Sequence, residues 1–418
     1  MGGSVRVRVE TIAGQARAGF NPGDTVYESR TQLRLAWRRA NLRVVAELHD
    51  SREWGANPGT PLSTSEVNTL EPVQAYVQAD LGDLLGRGTT SSVQAGRFTL
   101  ELGSRRLIAN DDFRNTTTGF TGLRGDLATA GGVRATALWV LPLARLPDDG
   151  ARLRRNAAEL DREGFDVVLW GGFLALQRKG SPLLREVSFV AFRERDAPGR
   201  PTRDRALDSL GLRVLREPGT GRLDWGAEGI VQWGTISATA QPGAARLPVS
   251  ASFLRLHAGY SFTAPWRPHL LVEFDRASGD GPGGRYGRFD PLYGMRRADL
   301  APAGLFSTVG RTNVVSPGAR LELTPSPRLD GFIGYRALWL ADPRDAFSTT
   351  GVRDLSGAAG SFAGHQIDSR LRWWVVPRRL RLEANAVLLA KGRFLRTAPG
   401  APGGATTRYA SLSLAASF

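Results

Sequence analysis

The side chains with the most chemical potential in this sequence are its arginines, and they fall at alternate positions. Arg6 and Arg8, Arg34 and Arg38, and Arg370 and Arg372 are spaced so that, in an extended chain, each set projects from one face. Arg43, Arg97, Arg124, Arg134, Arg255, Arg320, Arg336 and Arg381 hold the charged parity of their own segments. The same faces carry Glu10, Glu47, Glu101, Asp126, Asp224, Glu228, Glu273, Asp275, Glu322, Asp368 and Glu383. A guanidinium is permanently charged, weakly hydrated and shaped for bidentate contact with carboxylate or phosphate. Paired with a carboxylate on the next strand it braces a wall; left over, it attracts an anion. The formal charge of +15 means that some are left over. Of 55 basic residues only Lys179 and Lys391 are lysines, so 53 are arginines. A GC-rich codon bias accounts for arginine over lysine as well as an anionic partner does, but it accounts less well for the net charge.

Arg97, Arg124, Arg134, Arg336, Arg370 and Arg372 lie nearest the middle of their segments and are the candidate anion-binding residues. Glu101, Asp126, Glu273 and Asp275 are candidate gates, carboxylates that would compete with a ligand for arginine. For each, the competing reading is a plain salt bridge in the wall. Other chemistry has little support. There is no cysteine, hence no disulfide, thiolate metal site or thiol nucleophile. His49, His257, His269 and His365 lack the spacing of a metal cluster, so no metal and no cofactor is expected. The glycine-rich stretch 281–287 has no helix after it and does not read as a phosphate loop. Ser261 near His257 is the one nucleophile and base pair an enzyme on this chain would offer.

These side chains have to be positioned by strands. Period-two alternation runs from end to end: Val5, Val7 and Val9 oppose Arg6, Arg8 and Glu10; Leu42, Val44, Ala46 and Leu48 oppose Arg43, Glu47 and His49. Phe98, Leu100 and Leu102 oppose Arg97, Thr99 and Glu101, and Leu254, Leu256, Ala258 and Tyr260 oppose Arg255 and His257. No run of about 18 apolar residues occurs, which excludes membrane helices; the best runs are 135–144 and 167–176. Only 151–162 reads as a short helix. The connections alternate in length. Short ones fall near 39–41, 82–91, 130–132, 177–183, 217–221, 263–268, 325–327 and 376–378. Long ones fall near 13–28, 50–71, 103–118, 142–163, 195–204, 240–249, 277–314, 342–363 and 392–404. Between them lie about 18 strands of about 9 to 14 residues, the length that crosses a bilayer at a tilt.

The expected fold is therefore all-β: a closed antiparallel transmembrane β-barrel of about 18 strands, with short periplasmic turns and long extracellular loops. With no Pro/Ser-rich linker, residues 1–418 read as a single domain. A barrel this wide cannot fill its interior with wall side chains, so the charged parity faces a wet lumen and the apolar parity faces lipid. Trp37, Trp139, Trp225, Trp339 and Trp373 share the outward parity, where they would form interfacial girdles. The last strand ends in Phe418 behind Leu414, Leu412 and Ala410, similar to the insertion signal of bacterial outer-membrane proteins. Val5 to Glu10 follows Met1 almost at once and leaves no room for a signal peptide, so a leader absent from this sequence is expected.

Three segments resemble the alginate export family of outer-membrane channels. The first comprises Gly96-Arg97-Phe98, Arg105-Arg106-Leu107-Ile108, Phe113-Arg114-Asn115 and Phe120-Thr121-Gly122-Leu123-Arg124. The second comprises Glu273-Phe274-Asp275, Ser278-Gly279-Asp280 and Phe289-Asp290-Pro291-Leu292-Tyr293-Gly294. The third is the Phe-terminated last strand. The resemblance implies an 18-stranded barrel in the bacterial outer membrane with an arginine-rich pore, passing an anionic exopolysaccharide such as an alginate-like polyuronate. The expected partners are that polymer or small anions, outer-membrane lipid and periplasmic export proteins; a monomer is expected, and no nucleic acid. Two alternatives stay open, a general anion-selective porin for small solutes and an outer-membrane enzyme on a similar barrel.

Overall fold

A computed structural model describes residues 1–110, 113–296 and 299–418. The alternating segments form strands β1 (Gly2–Ala13), β2 (Gly23–Arg39), β3 (Leu42–Trp54), β4 (Asn68–Gly82), β5 (Thr89–Thr99), β6 (Gly119–Thr129), β7 (Val133–Pro142), β8 (Val167–Leu176) and β9 (Leu183–Glu194). They continue with β10 (Ala206–Arg216), β11 (Arg222–Ser237), β12 (Arg246–Ser261), β13 (His269–Ala277), β14 (Val314–Ser326), β15 (Leu329–Trp339), β16 (Phe362–Val376), β17 (Leu380–Lys391) and β18 (Thr406–Ser417). Each pairs antiparallel with its neighbours in sequence. The sheet closes where β1 meets β18, with Val5 opposite Ala416, Val7 opposite Leu414 and Val9 opposite Leu412. Closure leaves no edge, so every strand's backbone is paired, as a hydrocarbon surround requires. Among the described residues two short helices interrupt the loops. One, α1 (Gly150–Arg154), capped by the Asp149 side chain, covers only the start of the stretch 151–162 that reads as helical, the remainder being irregular with bridges at Ala158 and Arg162; the other, α2 (Arg393–Thr397), carries no sequence signal.

Turns 40–41, 83–88, 130–132, 177–182, 217–221, 262–268, 327–328 and 377–379 lie at one end with both termini, and the long connections lie at the other. By the rule for bacterial barrels the short-turn end is periplasmic. The outward parity is apolar and carries aromatics at two heights. Trp54, Trp139, Trp170 and Trp233 are exposed near the extracellular end, and Trp37, Trp225 and Trp373 near the periplasmic end. These are the two interfacial girdles of a transmembrane barrel.

The interior departs from the expectation of a uniformly wet lumen. Along β7 the inward residues run Arg134, Thr136, Leu138, Val140, and along β12, from the opposite direction, His257, Arg255, Phe253, Ala251. On these strands the periplasmic half of the inner wall is polar and the extracellular half apolar and buried, whereas on β2 to β4 the extracellular half is buried but polar, with Glu28, His49, Ser51, Glu53 and Asn68. What buries it is loop. Leu100, Leu107 and Ile108 of loop 100–118, Phe289, Leu305 and Phe306 of loop 278–313, and Phe347 of loop 340–361 join Phe192, Phe253 and Leu338 of the wall in one apolar cluster. The core of this barrel sits inside it, at the extracellular half, because the long loops fold into the lumen rather than standing in solvent.

Candidate functional site

Loops 100–118 and 278–313 meet in the lumen through backbone pairing. Tyr293 N–H donates to Leu107 O at 2.9 Å, Ala109 N–H to Tyr293 O at 3.1 Å and Met295 N–H to Arg105 O at 3.1 Å. Loop 100–118 then crosses to the β1–β3 wall, where arginines capture its carbonyls. Arg6 donates to Arg114 O at 2.7 Å and Arg8 to Phe113 O at 2.5 Å, with the Arg8 guanidinium 4.4 Å above the Phe113 ring. Asn115 completes the dock, its Nδ2 donating to Ser29 O, Arg52 O and Glu66 O at 2.9, 3.1 and 2.9 Å. This buried amide has every donor used, which fixes the loop.

Loop 278–313 is fixed by charge. The Asp299 carboxylate takes a bidentate contact from Arg106 at 2.9 Å and a contact from Arg311, with Arg255 at 3.8 Å. Burial alone would raise the Asp299 carboxyl, but Arg106, Arg255 and Arg311 hold it well below its ordinary value. Its carbonyl oxygen accepts from Arg336 at 2.5 Å and from Arg320 at 3.3 Å. Beneath it lies a buried quartet. Arg255 bonds Glu273 at 2.6 Å and Asp275 at 2.8 Å; Arg336, 1% exposed, bonds Asp275 at 2.9 Å and also Glu273. Buried pairs of this kind persist only when each charge is matched and hydrogen bonded. Here they latch the loop to β12, β13 and β15.

Below this constriction a groove of about 340 Å³ opens toward the periplasm. Arg6 and Arg8 of β1, Arg320 of β14, Arg370 and Arg372 of β16, Arg381 of β17 and Arg105 from loop 100–118 line it, against only Glu322 and Glu383. Arg370 and Arg372 share one carboxylate, Asp330, at 3.2 and 2.9 Å, and are 26 and 31% exposed. Arg320 and Arg370 also lie over the Phe332 ring, at 4.5 and 5.3 Å. Two guanidiniums on one carboxylate, partly wet and backed by an aromatic, are poised to accept a second carboxylate from solvent.

The sequence-derived candidates therefore separate. Arg370 and Arg372 are in the groove. Arg336, Glu273 and Asp275 do face inward, but they meet one another in the buried quartet and hold a loop. Arg124 pairs with Asp126 at 2.7 Å, Asp126 also accepts from Thr136 at 2.6 Å, and Arg134 donates to Gln177 at 3.1 Å; all lie at the periplasmic mouth of β6 and β7, across from the groove. Glu101 is in loop 100–118, half-exposed, 3.8 Å from the groove residue Arg105.

Arg97 is a correction. Its cross-strand partner is Ala75, on the exposed parity, and it is Phe98 that turns inward, with Phe98 and Leu100 both 0% exposed. Gly96, at φ +122°, allows the tight approach of β5 to β4 there, since a Cβ would lie 2.4 Å from Ala75 O. The Arg97 guanidinium reaches Glu71 at 2.5 Å and Glu163 of loop 143–166 at 2.7 Å. A charge on the outward parity is tolerated because a loop supplies its counter-charge at the rim. Sequence reasoning also passed over Arg6, Arg8, Arg320 and Arg381 as site residues although their charged parity was plain, and over Arg105, Phe113 and Met295, whose loop positions carry no periodic signal. Ser261 and His257 are four residues apart on one strand, about 13 Å by strand rise, beyond proton-transfer reach. Among the described residues no cluster of His, Asp or Glu has the arrangement of a metal site.

A model of the alginate export family matches residues 1–407. The chain belongs to the alginate export family. No curated protein matches it. Solved structures with the same architecture include the outer-membrane protein OpdK of Pseudomonas aeruginosa, at 12% identity and TM-score 0.60, covering 100% of this chain and 98% of that one. OccK2 (OpdF) of the same organism gives 12% identity and TM-score 0.61, covering 100% and 97%. OccAB1 of Acinetobacter baumannii gives 10% and 0.59, covering 100% and 96%. At such identities the likeness is one of fold. This member of the alginate export family is a closed 18-stranded channel of the bacterial outer membrane.

Proposed function

We propose that the channel passes carboxylated sugars, and in particular an anionic, alginate-like polyuronate, along the arginine groove. One observation carries the reading: seven arginines line a single section of the lumen, and the carboxylates that pair with Arg8 (Glu10 and Glu28), Arg105 (Glu101), Arg320 (Glu273) and Arg370 and Arg372 (Asp330) do not line it, so the groove surface itself presents guanidinium against only Glu322 and Glu383. Inward residues two apart on a strand, such as Arg370 and Arg372, are about 7 Å apart, the scale of one sugar ring. A uronate carboxylate held by one guanidinium thus lies within reach of the next. Sharing Asp330 keeps each site weak, which transport needs as much as it needs binding. Glu101 and Asp126 are the gate candidates that remain near a passage, the first beside Arg105 and the second at the mouth. The family points to polymer export, and the fold relatives fit the same ligand chemistry: OccK2 (OpdF) has been crystallised with glucuronate and OpdK with vanillate, both carboxylates.

A second reading, a porin for small carboxylates, is favoured by the groove's volume of about 340 Å³, which suits one sugar better than a chain. Planar-bilayer recording distinguishes them. Anion selectivity in a salt gradient is expected for both. Polyuronate should block the chloride current at far lower uronate concentration than free glucuronate does if the polymer is the substrate; equal potency per uronate would favour the porin. Cation selectivity would defeat both.

A further inference from the structure

The periplasmic turns and the strand ends beside them carry a charge that the groove does not account for. On one side of the rim stand Arg39, Arg87 and the pair Arg178 and Lys179; on the other stand Arg222, Arg267, Arg328 and the pair Arg378 and Arg379. All are exposed, and among the described residues none of these side chains has a hydrogen-bond or ion-pair partner. Only Asp83 and Glu217 oppose them within the turns. The extracellular loops differ, since acids and bases there alternate and pair, as Arg205 does with Glu194 and Asp290 or Arg288 with Asp345.

The height of this collar identifies what it meets. Arg39 follows Trp37 by two residues, Arg267 follows Trp266 directly, Arg222 precedes Trp225 by three and Arg378 follows Trp373 by five. Tryptophans of the periplasmic girdle mark the lower edge of the hydrocarbon. Cations just beyond them stand at the level of the phosphates of the periplasmic leaflet, all round the barrel. A polymer threading the lumen would meet only an inward-facing subset.

One place on the rim is built as a seat. Trp266 and Arg267 both have positive φ, +68° and +46°, a conformation that side-chain-bearing residues rarely adopt. It is held by Thr324 N–H donating to Trp266 O at 2.7 Å and Arg267 N–H donating to Ala264 O at 3.1 Å. Between this turn and turn 327–328 lies a groove of about 440 Å³ that includes exposed Phe262 and Trp266, Pro325, Pro327 and Arg267. An aromatic wall with a guanidinium at its lip fits a phospholipid's glycerol region and its phosphate.

We propose that the periplasmic rim is a binding collar for anionic phospholipid headgroups, with the Trp266 and Arg267 groove as its best-formed seat. The collar ties the channel's short-turn end to acidic lipid independently of what passes through the pore.

The test is native mass spectrometry of the full chain released from nanodiscs of equal phosphatidylglycerol and phosphatidylcholine. Wild type should retain phosphatidylglycerol preferentially, and the preference should fall with salt. With about fivefold in partition per basic residue near a surface, R267Q/R328Q/R378Q/R379Q should lose the preference by tenfold or more. Lysine at the same four positions should keep it. These turn residues are exposed, and heat-modifiable migration checks that each barrel is folded. A wild type without headgroup preference, or a glutamine variant that matches wild type, overturns the proposal. So does displacement of the bound lipid by soluble polyuronate at low salt, which would make the collar a mouth for polymer.

Discussion

Neutralising Arg370 and Arg372 together tests the groove where it is best defined. Both bond Asp330, at 3.2 and 2.9 Å, and both remain 26 and 31% exposed, so each interacts with an incoming carboxylate through partly screened surroundings. An ion pair so exposed is worth at most about 1 kcal/mol. Two of them amount to about 2 kcal/mol, or about thirtyfold in a dissociation constant. R370Q/R372Q also leaves Asp330 without its cations and facing the path, which adds repulsion of the same sign; adding D330N should recover part of the loss. The assay is the concentration of polyuronate that halves the chloride current of a single barrel in a planar bilayer. We expect it to rise about thirtyfold in the double variant, with selectivity for chloride over potassium reduced. If the double variant stays heat-modifiable and blocks within about threefold of wild type, polymer does not travel along β16, and the groove is wall rather than pathway.

Arg336 supplies the contrast: R336A would leave Asp275 to Arg255 and Glu273 to Arg255 and the more distant Arg320, at 4.0 Å, at a cost of about 3 to 5 kcal/mol for a broken buried pair. It should lower the thermal midpoint in detergent and make the current noisy as loop 278–313 loosens, without the loss of polymer block expected at β16. N115A would remove the side-chain hydrogen bonds to the Ser29, Arg52 and Glu66 carbonyls and weaken the hold of the β1–β3 wall on loop 100–118, so unitary conductance should increase; an unchanged conductance would mean that this loop does not limit the pore. In loop 143–166, burial and then the charge of Glu71 push the Asp161 carboxyl up to about 7. The folded state therefore holds this proton more tightly than the unfolded chain, and the stability it contributes is complete below the ordinary carboxyl value and lost as pH rises through 7. D161N keeps an oxygen for the Leu146 N–H and the Asn68 amide, so its thermal midpoint should increasingly exceed that of wild type between pH 4 and pH 8; parallel curves would show that Asp161 does not carry the linkage.

The wall was legible in the sequence because lipid imposes one chemistry on one parity. Every strand, the alternation of turn lengths and the outward tryptophans follow from that single constraint. The interior was less legible, since what an inward residue meets depends on which loop folds onto it. Leu138 and Val140 of β7 and Phe253 of β12 face inward yet are buried under loops. The run 137–144, without a polar side chain, does carry that signal, for a strand buried on both faces loses its alternation. Arginine roles were legible by parity but not by partner. Arg336 and Arg370 look alike in one dimension, and only register sets the first between Glu273 and Asp275 and the second beside Asp330.

The two groups of arginines depend on each other. A lumen this wide would let small ions pass far from any wall charge, where about 8 Å of screening at physiological salt hides them. Loops 100–118 and 278–313 remove that bypass by filling the extracellular half, and they are held there by Arg6, Arg8, Arg106, Arg311 and Arg336. Traffic is then confined to the side where Arg320, Arg370, Arg372 and Arg381 face the remaining space. Arg6 and Arg8 belong to both groups, gripping loop carbonyls and lining the groove, so the loop that narrows the pore is anchored on the surface along which the proposed anion would pass. Displacing that loop would change the width of the path and its charge together. A variant such as N115A, which loosens the loop and takes the Asn115 Oδ1 acceptor from Arg6 but removes no charge, should therefore alter selectivity as well as conductance, and the two changes should appear in the same channels at the same moments of the record.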